Sequence, residues 1–536
     1  MELNINGIKD RAAWEAKGYS LPSFERERAF ENAKKAPLWI HFGAGNIFRA
    51  YHAALAQDML EKGACDTGLI VAEGFDYEIV EKMYKPHDNL GVMVTLKSDG
   101  SIEKKVIGSI ASSLVLDREN SEDFNSLKAI FENPSLQMAT FTITEKGYGV
   151  KNGAGELLPA IAADIEKGPF MADSYLGKVC SLLYYRFKKN QAPLAMVSTD
   201  NCSHNGDKLR AAMVTIAEGW KANGKAEEEF LAYIEGKISY PWSMIDKITP
   251  RPDAKVREML AADEIGDLKE VVTSKNTWVA PFVNAEECQY LVIQDDFPNG
   301  RPALEKAGVI FTDRETVDKV EKMKVCTCLN PLHTALAVFG CLLGYTLISA
   351  EMKDAQLKKL VERIGYTEGL PVVVDPGIIR PKDFIDEVLQ KRIPNPFMPD
   401  APQRIATDTS QKLPIRYGET IKAYMAAEDL DENFLECIPL VQAGWLRYLM
   451  GINDEGENFE ISPDPMLEEL KPLMDRVSLG QGEEALEVIR RIICREDIFG
   501  LDLTKTVLGP KVEKYFLKLI EGKGSVRKTL TEAVGK

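Results

Sequence analysis

Three polar side chains that could do chemistry lie together in one short segment. Residues 322–333 read KMKVCTCLNPLH and contain Lys324, Asn330 and His333, which is one of only five histidines in the chain. Because Asn330 and His333 are three positions apart, they share a face if the segment is helical. Lys324 and Asn330 also have non-catalytic explanations. Asn330 before Pro331 could be the N-cap of a helix, and Lys324 could be an ordinary solvated lysine.

A fourth polar candidate follows an apolar strand. The segment 197–206 reads VSTDNCSHNG, so Asn201 comes directly after a run predicted to be a buried strand. In open α/β sheets, ligands bind at the carboxyl ends of the strands, where an asparagine amide could donate a hydrogen bond. The alternative is a turn that starts a helix, and Asp200 and Asn205 suit that turn.

Three basic residues lie in a polar segment near residue 410. The segment 404–416 reads RIATDTSQKLPIR and includes Arg404, Lys412 and Arg416. Such cations could hold a carboxylate or sugar hydroxyls. The alternative is a surface loop with ordinary charges.

A glycine-rich turn predicts a dinucleotide site. Gly43 and Gly45 stand between a predicted strand and a predicted helix, although Phe48 takes the place of the third glycine of the usual pattern. Such glycines let the backbone approach a pyrophosphate, and a plain tight turn is the alternative. Glu73 and Asp76 follow the second strand as candidate ribose ligands, which favours NAD over NADP.

Strands and helices alternate around these residues. Apolar runs at 38–40, 69–72, 92–96, 139–144 and 194–198 predict strands, with helical patterns between them. This alternation is typical of an α/β fold with a mostly parallel sheet. After about residue 300 helical patterns dominate, so we predict a Rossmann-like domain over 1–297 and a mainly α-helical domain over 298–536.

The length and charge of the chain limit the kinds of molecule that the protein could bind. The chain has 536 residues, with 66 Lys and Arg against 82 Asp and Glu, which gives a net charge of −16. That length calls for at least two large domains. The acidic balance argues against nucleic acid, whose phosphates attract a surplus of basic residues, but it leaves room for a local basic pocket.

The cysteines and the apolar runs indicate a cytoplasmic protein without a membrane partner. Nine cysteines are sparse and odd in number, unlike a disulfide scaffold, and the CxC at 326–328 has no second pair, so we expect no metal site. The N-terminus carries charges throughout and has no signal-peptide core. The apolar run 334–350 contains Gly340 and Gly344 and predicts a buried core helix.

Seven motifs in order resemble the long-chain polyol dehydrogenases of the mannitol dehydrogenase group. They are HFGAGNIFRAYH at 41–52, TITEKGY at 142–148, STDNCSHNG at 198–206, SMIDKITPR at 243–251, YLVIQDDFPNGRPALEKAGVIFTD at 290–313, KVCTCLNPLH at 324–333 and RIATDTSQKLP at 404–414. The similarity runs over roughly 37–450 and therefore covers most of the chain.

The resemblance implies catalytic roles. Lys324 matches the lysine that acts as base in alcohol oxidation and as acid in ketone reduction. Asn201 and Asn330 match the two asparagines that hold the reacting oxygen, and His333 matches a histidine that orients the substrate. An unperturbed lysine has a pKa of about 10.4, so a lysine base needs burial or a nearby positive charge to lower it.

Further roles follow for the residues around the substrate and the cofactor. Asp246, Arg404 and Lys412 match polar residues that line the substrate pocket. The loop around NAD is matched by Gly43, Gly45, Asn46, Arg49 and, in the TITEKGY motif, Thr144, next to the acids Glu73 and Asp76.

One spacing departs from the family pattern. Five residues separate Lys324 from Asn330, whereas the family usually has four. On one regular helix the nine positions from Lys324 to His333 correspond to about 900°, which would place the two side chains on opposite faces. We therefore predict either a π-bulge after Lys324 or a helix that begins near Asn330.

The resemblance implies an NAD-dependent oxidoreductase that interconverts D-mannonate and D-fructuronate by hydride transfer. Tagaturonate reduction, or oxidation of mannitol or another neutral polyol, would use the same chemistry on a different substrate. Two alternatives belong to other classes. One is a lyase in which Lys324 forms a Schiff base, and the other is a protein that binds a sugar or nucleotide without catalysis.

Overall fold

The computed structural model describes residues 1–535 and divides them into two compact units. Residues 1–96 and 101–318 form the first unit, and residues 97–100 belong with the second unit, which runs from Lys319 onward. The division therefore lies after the 297/298 boundary expected from the sequence. The segment after Phe297 still contributes a strand, Ile310–Thr312, to a sheet of the first unit.

The strands all lie in the first unit as described. They are β1 (Tyr19–Ser20), β2 (Trp39–Phe42), β3 (Leu69–Glu73), β4 (Gly91–Leu96), β5 (Ile102–Ile107), β6 (Ile110–Val115), β7 (Met138–Phe141), β8 (Leu194–Ser198), β9 (Ile238–Ser239), β10 (Ser243–Asp246), β11 (Val271–Val272), β12 (Trp278–Val279), β13 (Phe282–Glu286), β14 (Tyr290–Gln294) and β15 (Ile310–Thr312).

The helices up to the end of the first unit are α1 (Arg11–Ala16), α2 (Arg26–Lys35), α3 (Ala53–Glu61), α4 (Ser121–Glu132), α5 (Pro159–Lys167), α6 (Tyr175–Lys189), α7 (Asn205–Ala222), α8 (Glu228–Gly236), α9 (Ala254–Ala262) and α10 (Arg314–Lys322). Those of the second unit are α11 (Asn330–Leu342), α12 (Ile348–Glu351), α13 (Ala355–Glu362), α14 (Pro381–Glu387), α15 (Pro402–Ile405), α16 (Thr409–Leu413), α17 (Glu419–Ala426), α18 (Cys437–Tyr448), α19 (Leu467–Met474), α20 (Ala485–Ile493), α21 (Glu496–Phe499), α22 (Gly509–Leu519) and α23 (Ser525–Gly535).

Short helices of other types connect these elements. The π-helical segments are Phe48–His52, Val80–Tyr84, Met323–Cys328, Arg363–Gly369, Val388–Arg392 and Pro414–Gly418. The 3-10 turns are Gly7–Lys9, Lys85–His87, Glu145–Tyr148, Leu304–Ala307, Leu370–Val372, Glu432–Phe434 and Leu503–Lys505.

The central sheet of the first unit confirms the predicted Rossmann-like fold. Six parallel strands lie in the order β6-β3-β2-β7-β8-β9. The chain order along this sheet reverses between β2 and β7, which is the point where doubly wound sheets bind dinucleotides. Every residue of β2, β3, β7 and β8 is buried, as expected of strands covered on both faces by helices.

One predicted strand belongs to a different sheet. The run 92–96 was assigned to the parallel alternation, but β4 lies in a separate sheet of order β1-β5-β4-β13 and pairs with β5 in antiparallel orientation. The reason is the connection, because only residues 97–101 link β4 to β5. A parallel pair needs a much longer crossover than this.

The second unit is mainly helical, as predicted. The helix expected over 334–350 is shorter, because α11 ends at Leu342 and Gly344 takes a φ of +78° that favours glycine. The helical stretch Arg314–Leu342, which is interrupted at Leu329, is long and apolar enough to cross a membrane by composition alone. Since 78% of its most apolar window is buried inside the protein, it has the burial of a core helix.

Candidate functional site

The glycine turn lies at the carboxyl end of β2, where the order of the strands reverses. Gly43 has a φ of +112°, and a Cβ at this position would lie 2.3 Å from the carbonyl oxygen of Thr142 after β7. A Cβ at Gly45 would meet nothing within 4 Å. The bend therefore requires glycine at position 43, and it leaves open space at position 45 where a phosphate could approach the backbone.

Glu73 at the end of β3 is tied to this turn. One carboxylate oxygen accepts a hydrogen bond from the Ala44 N–H at 2.7 Å, and the other accepts from the N–H groups of Phe75 and Asp76 at 2.8 and 3.0 Å. Burial raises the pKa of Glu73, and the three backbone donors act against that rise. The carboxylate therefore holds the shape of the cofactor loop, and contact with a ribose stays a prediction.

Asp76, the second acidic residue predicted to contact the ribose, contacts Thr273 instead. It is buried and accepts a hydrogen bond from the Thr273 hydroxyl at 2.6 Å. A cavity of about 420 Å³ opens beside it, after the end of β3. Its lining includes residues 74–78, Tyr175, Lys178 and Lys275. This position next to the glycine turn suits the adenosine half of a dinucleotide.

Arg49 follows the glycine turn, and its side chain is directed into the protein interior. Its guanidinium is buried and donates to the carbonyl oxygen of Ala280 at 2.6 Å and of Phe282 at 3.4 Å. It also donates to the Asn46 side-chain oxygen at 2.9 Å. The contacts give Arg49 and Asn46 a role in fixing the loop against β13, and any contact with phosphate stays a prediction.

A buried polar cluster beneath the loop was missed from the sequence. His41 contacts the Thr140 hydroxyl at 2.7 Å and the Thr142 hydroxyl at 2.9 Å, and the Trp39 indole also donates to Thr140. Burial holds the pKa of His41 well below its ordinary value, so the imidazole is neutral. The only available sequence signal was a histidine and two threonines in strands that are otherwise apolar.

The loops after β7 and β8 are joined by Asp200. Its carboxylate accepts from the N–H groups of Ile143 and Thr144, both at 2.9 Å, and from the Tyr148 hydroxyl. Thr144 takes a φ of +65°, a conformation that is unusual for a β-branched residue. Such strain is often found at functional loops, and Thr144 is exposed at this one.

Asn201 and Asn205 have different surroundings. Asn205 is buried at the start of α7, where its amide donates to Ser243 and its oxygen accepts from the Ser243 N–H. Asn201 is exposed, and within residues 1–535 its side chain has no hydrogen bond to the protein. The structural explanation therefore fits Asn205, whereas the Asn201 amide is available for a ligand.

Asp246, the last candidate in the first unit, ends β10 and is buried there. Its negative charge contributes to raising the pKa of Tyr51, after the larger effect of burial. Tyr51 belongs to the π-helical segment that follows the glycine turn. The position of Asp246 is therefore near that segment, and its contact with a substrate stays a prediction.

The helix that carries Lys324 accommodates the extra residue in the way the spacing predicted. Lys324 is buried in the π-helical segment Met323–Cys328, and Leu329 then breaks the helix with a φ of −129°. The next helix, α11, begins at Asn330 with Pro331 in its first turn. The two alternatives that the spacing offered therefore occur together, since a π-helical segment holds Lys324 and a new helix starts at Asn330.

His333 lies one turn into α11 beside an acidic residue. Its Nε2 is 3.7 Å from an Asp400 carboxylate oxygen, whose partner oxygen is bound by Arg404. Burial is the main effect that lowers the pKa of His333, to about 4, and the charge of Asp400 opposes it. The imidazole is therefore neutral near pH 7, so one ring nitrogen can donate and the other can accept.

Two further cations lie near α11. Lys412 donates to the carbonyl oxygens of Ile405 and Thr407, and burial is the main effect that lowers its pKa. Arg416, the last basic residue of the 404–416 segment, donates to the Thr334 hydroxyl and the Asn330 carbonyl oxygen. Neither role could be read from residue type alone, because both depend on how the 404–416 segment packs.

The predicted residues thus form two groups, one in each unit. In the first unit the cofactor candidates gather around the glycine turn, with Asn201 after β8. In the second unit Lys324 lies in the π-helical segment, Asn330 and His333 lie at the start of α11, and Arg404 contacts Asp400 beside His333. Across residues 1–535, no group of three or more His, Cys, Asp or Glu side chains is arranged to hold a metal ion.

Two family models match the chain and together cover most of it. Residues 38–306 match the mannitol dehydrogenase Rossmann domain, and residues 316–516 match the mannitol dehydrogenase C-terminal domain. The two matched regions correspond to the parallel-sheet unit and the helical unit.

Similar proteins have been characterised or solved. A D-mannonate oxidoreductase from Thermotoga maritima is 52% identical over 100% of this chain and 99% of its own length. A D-sorbitol dehydrogenase solved in substrate-free form has a TM-score of 0.78 at 26% identity, covering 95% of this chain and 97% of its own. A Pseudomonas fluorescens mannitol 2-dehydrogenase solved with NAD and D-mannitol has a TM-score of 0.69 at 26% identity, with 100% of both chains covered.

Proposed function

The chain belongs to the mannitol dehydrogenase family, and on that premise we propose that it is an NAD-dependent oxidoreductase that interconverts D-mannonate and D-fructuronate. The observation that carries this proposal is the 52% identity to a D-mannonate oxidoreductase over the full length of both chains. A neutral polyol as substrate has weaker support, because the mannitol and sorbitol dehydrogenases found as structural neighbours are 26% identical.

The cofactor loop has features that suit a dinucleotide. The bend at Gly43, the open space at Gly45 and the helix that starts at Asn46 offer backbone N–H groups and a positive helix end to a pyrophosphate. The cavity after β3 offers room for the adenosine part. NAD, when bound, supplies or accepts the hydride.

The protein residues handle the proton and the developing charge on the substrate oxygen. Lys324 gives a proton to the ketone oxygen during reduction and takes it back during oxidation. The amide N–H groups of Asn201 and Asn330 hold that oxygen, where losing one such donor typically costs about 10²–10³ in rate. Neutral His333 orients the substrate by hydrogen bonding, and Asp246, Arg404 and Lys412 bind its other polar groups.

The first test is a panel of substrates with purified protein. D-Fructuronate, D-tagaturonate and D-fructose are each mixed with NADH, and the loss of NADH absorbance is followed. We expect D-fructuronate to give the highest kcat/KM. A higher kcat/KM for D-tagaturonate or D-fructose would replace the proposed substrate, and no turnover of any of the three would refute the proposed activity.

The second test replaces the proposed acid and base. Lys324→Met should lower kcat for D-fructuronate about 10²–10⁴-fold, which is the usual contribution of a positioned proton donor. The affinity for NADH, measured by fluorescence titration, should stay within a few-fold of the wild type. A variant that keeps kcat within a few-fold would rule out proton transfer by Lys324.

The cytoplasm is the proposed location. All nine cysteines are unbonded, which suits a reducing compartment. Cell fractionation with an antibody to the protein should find it in the cytoplasmic fraction, and recovery from an extracellular or membrane fraction would contradict this.

A further inference from the structure

Positive charge is concentrated around His333 in the second unit. The guanidinium groups of Arg416, Arg392 and Arg404 all act to lower the pKa of His333, after the larger effect of burial, while the carboxylate of Asp400 acts against them. Among the charged groups that act on His333, three are cations and one is an anion, and one of these cations, Arg404, is paired with that anion. A site with such a surplus favours an anionic ligand over a neutral one.

Arg404 and Lys412 are held by acceptors in the protein. Arg404 is paired with Asp400, and most of its side chain is exposed. Lys412 donates to the backbone carbonyl oxygens of Ile405 and Thr407. A substrate carboxylate would have to compete with these contacts for either cation.

Arg416 is held in a way that leaves one edge of its guanidinium available. Nη1 donates to the Thr334 hydroxyl and to the Asn330 carbonyl oxygen at 3.5 Å, so the group is anchored to the first turn of α11. In the described part of the chain, Nε and Nη2 have no protein acceptor, and neither is sealed from solvent. These two atoms present parallel N–H donors on one edge, which is the arrangement that a carboxylate accepts in bidentate form.

We infer that Arg416 binds the carboxylate of the substrate and selects a sugar acid over a neutral polyol. This inference rests on the proposed function, since D-mannonate differs from D-mannitol by a carboxylate in place of a hydroxymethyl group. The carboxylate and the reacting hydroxyl lie toward opposite ends of D-mannonate. Arg416 therefore acts mainly on binding, and Lys324 acts on the chemical step.

The experiment compares the acid with the polyol in a binding assay that needs no turnover. Dissociation constants of D-mannonate and D-mannitol for the enzyme–NADH complex are measured by isothermal titration. The wild type should bind D-mannonate more tightly than D-mannitol. Arg416→Met should raise the dissociation constant of D-mannonate about 10- to 100-fold, which is the range for losing charge-assisted hydrogen bonds. The dissociation constant of D-mannitol should stay within about threefold of the wild-type value. Arg416→Lys keeps the positive charge but loses the two parallel N–H donors. Its dissociation constant for D-mannonate should therefore lie between those of the wild type and Arg416→Met.

Control measurements separate this role from a structural one. Arg380→Met removes an exposed guanidinium of the same unit that is paired with Asp383, and it should change neither constant. Melting temperatures and NADH affinity establish that each variant is folded. If Arg416→Met does not fold, the Arg416→Lys constants decide the matter, because the loss must still be confined to D-mannonate.

Several outcomes would overturn the inference. They are equal wild-type affinities for the two compounds, an unchanged D-mannonate affinity in Arg416→Met, and equal weakening of both compounds. Equal weakening would mean that Arg416 acts only by supporting the first turn of α11. A different result would refute the proposed reaction alone. In that case D-fructuronate is not turned over, but the enzyme still binds D-mannonate selectively and this selectivity depends on Arg416, so the carboxylate site is retained.

Discussion

Glu351 provides a test of the packing in the helical unit. It ends α12 and is fully buried, and neither carboxylate oxygen has a hydrogen-bond partner within residues 1–535. A Cβ at Gly340 would lie 2.1 Å from one of these oxygens, so the carboxyl group packs directly on the backbone of α11. Burial, with a smaller effect from Asp354, raises the pKa of Glu351 to about 9.

The raised pKa makes stability depend on pH with a definite sign. Because the folded-state pKa exceeds the ordinary value of 4.5, the contribution of Glu351 is fully present below pH 4.5 and is lost as the pH rises to about 9. Within that range each pH unit lowers the free energy of unfolding by about 1.4 kcal/mol. From pH 6 to pH 8 the loss is therefore about 3 kcal/mol.

The assay compares the melting temperatures of the wild type and Glu351→Gln at pH 6, 7 and 8. Glutamine has a similar shape and does not ionise, so the variant lacks this contribution to the pH dependence. For a unit of roughly 200 residues, 1 kcal/mol corresponds to about 2–4 °C. Between pH 6 and pH 8 the wild type should thus lose about 6–12 °C more than the variant, in the transition that reports the helical unit.

A matched control is Glu428→Gln, which removes an exposed carboxylate of the same unit. Its pH profile should run parallel to that of the wild type. If the Glu351→Gln profile is also parallel to the wild type from pH 6 to pH 8, Glu351 is not a buried neutral carboxyl group. The packing of α12 against Gly340 would then be wrong.

Two other predictions concern the cofactor turn and a helix start. Gly43→Ala should lower NADH affinity at least about tenfold in a fluorescence titration, because a non-glycine residue is strained at this φ and its Cβ would collide with Thr142. Gly63→Ala, at a φ of +64° with open space around it, should leave that affinity unchanged. Glu368→Gln should destabilise the protein by about 1–3 kcal/mol in urea unfolding, because both oxygens accept backbone N–H groups at the start of α18. An unchanged unfolding midpoint would contradict this capping role.

The sequence predicted most of the first unit because its signals are local. Strands buried on both faces are continuous apolar runs, and the glycine turn is marked by residues that adjoin in the chain. The change of helix type after Lys324 followed from counting residues. The sheet that contains β4 was assigned wrongly, since an apolar run of five residues has the same appearance in either sheet.

The charged and polar partners of the site were harder to predict. Arg416 lies 86 residues from Asn330 in the chain, and its contact with that residue exists only after the helical unit has folded. Glu73 was expected to bind ribose, but its three backbone partners depend on the approach of β3 to the glycine turn. Residue type identified these groups as candidates, whereas tertiary packing determines which of their atoms remain available.

The charge arrangement near α11 also has a cost for stability. Burial lowers the pKa of Arg416 to about 10, because withdrawing the guanidinium from water disfavours its charged form. His333 stays neutral at pH 7, so it adds no further cation to the cluster. An anionic ligand that bound there would offset this burial of charge in the folded state only, and by mass action it would stabilise the helical unit. The buried charge of Arg416 is therefore expected to make the helical unit less stable without an anionic ligand than with one.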